Sequence, residues 1–133
     1  MKLNVVNMLF AFLPFLFTSC YEDEKFLWSL INQSKESIYI IGGIAEVNTS
    51  NWKQSNLREV RPDSIFSSWV YEDDLESRSL VLYVFRKSTI ELYSWEQIKE
   101  KCLYDKKIIC SYSDLRKVGN LIVFKEEGQG PLE

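Results

Sequence analysis

Between residues 26 and 124 the apolar side chains come in short runs separated by polar turns, and most runs have strand character. Phe26-Leu27-Trp28-Ser29-Leu30-Ile31 predicts a first strand, with the polar stretch Asn32-Gln33-Ser34-Lys35-Glu36 as the turn after it. Ser37-Ile38-Tyr39-Ile40-Ile41 is rich in β-branched and aromatic residues and runs into Gly42-Gly43, the signature of a second strand ending in a turn. Residues 46–56 are rich in Asn, Ser and Thr, a loop with one tryptophan, Trp52. Leu57-Arg58-Glu59-Val60-Arg61 alternates up to Pro62, which suits an edge strand and a turn. The aromatic segment 65–71 follows, then the acidic stretch Glu72-Asp73-Asp74-Leu75-Glu76, expected as a solvated loop.

Leu80-Val81-Leu82-Tyr83-Val84-Phe85 is unbroken by polar residues and predicts a central strand covered on both faces. Thr89-Ile90-Glu91-Leu92-Tyr93 is expected to continue the sheet. The period then changes. Ser94-Trp95-Glu96-Gln97 fits a capping box, in which serine and glutamine side chains satisfy each other's backbone amides. Trp95, Ile98 and Cys102 follow at i, i+3 and i+7, one apolar stripe of a helix. Residues 106–112 return as a strand, Ser113 caps a single helical turn ending at Gly119, and Asn120-Leu121-Ile122-Val123-Phe124 is the last strand. This order predicts a mainly β, β-rich α+β fold: a small antiparallel β-sandwich-like domain with one or two short helices near the C-terminus.

The N-terminal pattern is of another kind. Residues 5–17 are almost continuously apolar after a single charge at Lys2, and the chain turns acidic at Glu22-Asp23-Glu24. Crossing a bilayer takes about 20 apolar residues. This run is shorter and Pro14 interrupts it, which fits a cleaved signal segment better than an uncleaved anchor. Thr18-Ser19-Cys20 resembles a lipobox, the site cut by signal peptidase II, with Phe17 where leucine is usual. The resemblance implies a diacylglycerol on the Cys20 sulfur, cleavage before Cys20, and an acylated (palmitate-type) new amino terminus. Several acyl chains, at about 0.8 kcal/mol per buried CH₂, make such an anchor essentially permanent. The acidic triplet is similar to the export signal of surface-displayed Bacteroidetes lipoproteins, and it also serves as a solvated tether. The expected organisation is a signal peptide over 1–19, a lipidated tether over 20–25, one domain over 26–127 and a flexible tail over 128–133. The expected location is an outer-membrane lipid anchor, with outward display favoured over the periplasmic face.

The pattern after Cys20 resembles a group of small Bacteroidetes lipoproteins. It runs from an Asn/Ser turn and apolar strand (residues 32–41) through the turn Arg61-Pro62-Asp63-Ser64 to a central strand. A Trp-led helix, Tyr112-Ser113-Asp114-Leu115 and a final apolar strand complete it. The resemblance implies an envelope lipoprotein with a β-rich domain, and brings no activity and no site residues with it.

Charge and chemistry narrow the functions. Without residues 1–19 the chain keeps 15 of its 16 Lys+Arg and all 19 Asp+Glu, a net charge of −4, which argues against nucleic acid. The sequence has no histidine, so Ser-His-Asp and Cys-His schemes are excluded, as are most transition-metal sites. With Cys20 lipidated, Cys102 and Cys110 remain, either as a disulfide or as two small buried thiols. Glu72, Asp73, Asp74 and Glu76 lack the spacing of a calcium loop. Gly42-Gly43 is too short to cradle a phosphate. No catalytic residue, metal or cofactor is therefore expected, and the chain reads as a non-enzymatic binding or structural module for a protein partner. The alternative is glycan binding, with Trp52 stacking on a sugar and Trp69 and Tyr71 extending the platform.

Overall fold

The computed structural model describes residues 24–44 and 52–126. The apolar segment 5–17, Cys20, Glu22, Asp23, Asn48 and the tail from Gly128 lie outside the described residues. In chain order the elements are β1 (Lys25–Asn32), β2 (Ile38–Ile44), a 3-10 turn (Gln54–Asn56), β3 (Arg58–Val60), β4 (Ile65–Tyr71) and α1 (Glu72–Ser77). They continue as β5 (Leu80–Arg86), α2 (Lys87–Leu92), α3 (Trp95–Lys101), β6 (Lys106–Cys110), α4 (Tyr112–Lys117) and β7 (Leu121–Phe124). Among the described residues, no helix is long and apolar enough to cross a membrane.

The strands form a three-stranded sheet, β4-β1-β7, and a four-stranded sheet, β3-β2-β5-β6. All neighbours are antiparallel except β1 and β7, which run parallel with Ser29 beside Leu121 and Asn32 beside Phe124. The fold is thus a small β-rich α+β domain, as the apolar pattern predicts. Alternate residues of β1 face the other sheet, so Phe26, Trp28 and Leu30 meet Ile38, Ile40, Leu80, Leu82 and Val84 in one core. Leu75 of α1 and Leu115 of α4 complete that core. The opposite face of the four-stranded sheet carries a second core, where Ile41, Val81, Tyr83 and Phe85 lie under Trp52 and Ile98. Leu80 to Phe85 are all buried because β5 is covered on both sides. Each such side chain contributes roughly 1.5–3 kcal/mol by leaving water.

Three segments depart from the pattern-based expectation. β2 does not stop at Gly42-Gly43 but runs through them to Ile44, opposite Leu80. The acidic stretch is not a loop but α1, whose first turn carries Glu72, Asp73 and Asp74. Carboxylates there complement the positive end of the helix dipole, while Leu75 enters the core. Residues 89–92 are helical instead of extended, because carboxylates from elsewhere satisfy the start of α2. Asp105 accepts from the Arg86 amide (2.7 Å) and the Thr89 hydroxyl (3.1 Å), and Glu36 accepts from the Ser88 amide (2.9 Å).

Both later helices begin on a capping box. In α3 the Gln97 amide donates to Ser94 Oγ (3.2 Å) and the Ser94 amide donates to Gln97 Oε1 (3.0 Å). In α4 the cap is Ser111, two residues before the expected Ser113, and its partner is Asp114. The two Ser111 bonds hold the Asp114 carboxyl below its ordinary value.

Candidate functional site

The side chains that alternate with the core face water. On the outer face of the three-stranded sheet Lys25, Leu27, Ser29 and Ile31 of β1 stand opposite Tyr71, Trp69, Ser67 and Ile65 of β4. Antiparallel sheets of this kind commonly present polar residues outward. Here Leu27 is 66% exposed, Ile65 59%, Trp69 42% and Tyr71 42%, with Val123 of β7 beside them. The Ser29 and Ser67 hydroxyls share a 2.8 Å hydrogen bond that divides the face into two apolar halves. The Trp69 and Tyr71 rings meet edge to face at 5.1 Å and 76°, and Lys25 Nζ lies 4.5 Å from the Trp69 ring centre. This is a cation–π contact on a ring whose partner is not coplanar with it.

Trp52 does not join this platform. It is 1% exposed and packs edge-on against Tyr83 (4.9 Å) and Phe85 (5.3 Å) in the second core, on the far side of the other sheet. The expected sugar-stacking role for Trp52 is corrected accordingly. An Asn/Ser/Thr-rich flank suggests a loop tip, yet β5 needs an apolar cover on its outer face and Trp52 supplies it. Of the two alternatives for Cys102 and Cys110, the structure has the free thiols, with Cys102 exposed where a buried thiol was the expectation. Cys110 packs against the inter-sheet core, whereas Cys102 is the exposed left-handed cap (φ 52°) of α3, whose Ile98 packs on the opposite face of the sheet. The sheet stands between them. Burial, with a smaller contribution from Asp114, pushes the Cys110 thiol above its ordinary value.

The acidic residues form a surface clamp. Tyr112 Oη donates to Glu72 Oε1 (2.8 Å), Arg116 Nη1 donates to Tyr112 Oη (3.1 Å), and the Glu72 amide donates to the Glu24 carbonyl (2.9 Å). The Tyr112 hydrogen bond, and then one to Glu24, hold Glu72 below its ordinary value of 4.5. The same hydrogen bond and the charge of Glu72 raise Glu24, and the bond to Glu72 raises Tyr112. Glu24 and Glu72 do not line the cavity between the sheets. Among the described residues no group of three His, Cys, Asp or Glu side chains is placed to hold a metal.

One cavity, of about 390 Å³, opens between the two sheets on the side of their edge strands β3 and β4. Trp28, Ile40 and Leu82 line its buried part, Phe66 and Ser68 of β4 its wall, and Asn56 and Arg58 its rim. Nothing in the sequence singles these residues out, because Trp28 and Leu82 carry the same apolar pattern as their packed neighbours. Burial leaves Trp28 Nε1 with no hydrogen-bond acceptor among the described residues. No family model, no curated protein and no solved structure matches the chain.

Proposed function

We propose that the chain is a non-enzymatic envelope lipoprotein, held in the outer membrane through an acylated Cys20, whose β-rich domain binds a protein partner. The contact surface in this reading is the outer face of the β4-β1-β7 sheet. One observation carries it: Leu27, Ile65, Trp69 and Tyr71 stand exposed together on a sheet face, where a solvated face needs polar side chains. Tyrosine and tryptophan are enriched at the centres of protein interfaces. The glycan alternative keeps only Trp69 and Tyr71. With Trp52 in the core, and with Lys25 against an edge-to-face pair, no flat two-ring platform remains for a sugar.

The anchor and the face are tested separately. Labelled palmitate is expected to enter the wild-type chain and not the Cys20→Ala variant; equal labelling would remove the anchor. For the face, a photo-crosslinking side chain is placed at Leu27, at Ile65, or at exposed Leu92 on α2 in cells that make the protein. Leu27 and Ile65 should give the same discrete protein adduct, lost on Trp69→Ala, and Leu92 should not. Adducts of equal yield from Leu92 would reject the assignment. Protease treatment of intact cells then decides between outward and periplasmic display.

A further inference from the structure

We infer that the free edge of β4 pairs antiparallel with the same strand of a second copy, joining two three-stranded sheets into one. A sheet edge presents unpaired amides and carbonyls to any chain that can approach it, and proteins blunt such edges with short strands, charge or proline. Three of the four edge strands here are blunted. β3 is three residues long and carries Arg58 and Glu59, β6 opens on Lys106-Lys107, and β7 is four residues long. β4 is not blunted: Ile65-Phe66-Ser67-Ser68-Trp69-Val70-Tyr71 is seven residues without a charge or a proline. It packs against β1 and against α1, which follows it. The opening between the sheets, lined by Phe66 and Ser68, runs along its other flank.

The ladder to β1 fixes where the edge groups point. The Asn32 amide donates to the Ser64 carbonyl (3.1 Å) and the Glu72 amide to the Glu24 carbonyl (2.9 Å). In that register the even-numbered residues of β4 exchange hydrogen bonds with β1, and the residues between them do not. The amides of Ile65, Ser67, Trp69 and Tyr71 therefore point away from β1, as do the carbonyls of the first three. None of these groups has a hydrogen-bond partner among the described residues.

The strand is complementary to itself. Setting Ser68 opposite Ser68 of the second copy places Ile65 opposite Tyr71, Phe66 opposite Val70 and Ser67 opposite Trp69. Isoleucine with tyrosine and phenylalanine with valine are aromatic–β-branched pairs, which stabilise antiparallel strands, and each occurs twice about the two-fold axis. Ile65, Ser67, Trp69 and Tyr71 all lie at hydrogen-bonded positions of this register. Centring on Ser67 instead would set Tyr71 against Asp63, whose left-handed φ of 60° breaks the ladder. Antiparallel pairing also keeps the acidic turn Glu72-Asp73-Asp74 of each copy away from its equivalent, beside the end where Arg61 and Asp63 balance in charge. A strand of another protein must match these positions by its own sequence, whereas a second copy matches them by symmetry. The inference rests on the edge of the sheet and stands apart from the partner surface on its outer face.

The test is disulfide trapping in cells that co-express the full chain with two different C-terminal tags. Every variant carries Cys102→Ser, which removes the exposed thiol. Ser68→Cys treated with diamide should give a reducible dimer containing both tags, because directly opposed residues of an antiparallel pair lie within disulfide range. Ser67→Cys, and Leu92→Cys at an exposed position on α2, should give at least about five-fold less. Adding Ser67→Pro to Ser68→Cys removes an outward amide and none that reaches β1. It should cut the trapped dimer at least about five-fold while thermal melting stays cooperative. Three results would overturn the inference: no mixed-tag dimer from Ser68→Cys; an equal yield from Ser67→Cys or Leu92→Cys; or capture of a different protein by Ser68→Cys in place of a tagged copy, which would assign the edge to a foreign strand. Ser68→Cys leaves every backbone group in place, so the trap decides the question even if Ser67→Pro misfolds.

Discussion

Asn32 is a wholly buried polar side chain with every amide valence used. Its Nδ2 donates to the carbonyls of Glu36 and Val60 (both 2.8 Å), and its Oδ1 accepts from the Ser34 amide (2.9 Å) and hydroxyl (2.6 Å). Its own amide donates to the Ser64 carbonyl and its carbonyl accepts from the Asp63 amide. One residue thus ties the end of β1 to the following turn, to β3 and to the turn before β4. Asn32→Ala would take the side-chain donor from the Val60 carbonyl and the acceptor from the Ser34 amide, and should cost about 2–4 kcal/mol in urea denaturation. Asn32→Asp should not restore it, because a carboxylate cannot donate to Val60; a variant as stable as wild type would reject this account. The sequence placed a polar turn at Asn32-Gln33-Ser34 but not the role of the asparagine, since Val60, Asp63 and Ser64 are distant along the chain. Trp52 was illegible for the same reason: a tryptophan in a polar flank is a loop residue until the strand it covers is known.

The strands were readable from composition because each buries side chains against a sheet neighbour, and β-branched runs mark that demand directly. The capping box of α3 was readable because both partners lie within four residues. α1 and α2 were not, being six-residue helices whose start is set by charge at the first turn or by Asp105 and Glu36 from elsewhere. The two glycines of β2 illustrate how element and residue meet. A Cβ on Gly42 would collide with the Val81 carbonyl and the Leu82 Cα, whereas one on Gly43 meets nothing within 4 Å. Gly42→Ala must therefore push β2 away from β5, at a cost of about 1–3 kcal/mol. Gly43→Ala should stay within about 0.5 kcal/mol of wild type. Thermal or urea unfolding of the pair measures this directly, and equal effects at both positions would contradict it.

Across the whole molecule, the Glu24, Glu72, Tyr112 and Arg116 clamp joins the chain entry to α1 and α4. Its pH dependence has two opposite parts. Glu72 titrates below 4.5, so its share of stability is present above that value and is lost as pH falls through the lowered midpoint. Glu24 titrates above 4.5, so its share is present below that value and is lost as pH rises through the raised midpoint. Carboxyl ¹³C titration should find Glu72 ionising before Glu24, and Tyr112→Phe should move the Glu72 midpoint upward; the reverse order would exclude the clamp. The parallel pairing of β1 with β7 was not readable, since residue patterns do not name the partner of a strand. That pairing joins Ser29 to Leu121, so the central strand of its sheet gains its second neighbour only when the last strand has emerged. Closing so long a loop carries an entropic cost before any contact repays it, and topologies of this kind fold in milliseconds to seconds. A chain that emerges amino end first therefore completes the β4-β1-β7 sheet only once residues 121–124 are out, whereas β2, β3, β5 and β6 can pair before then.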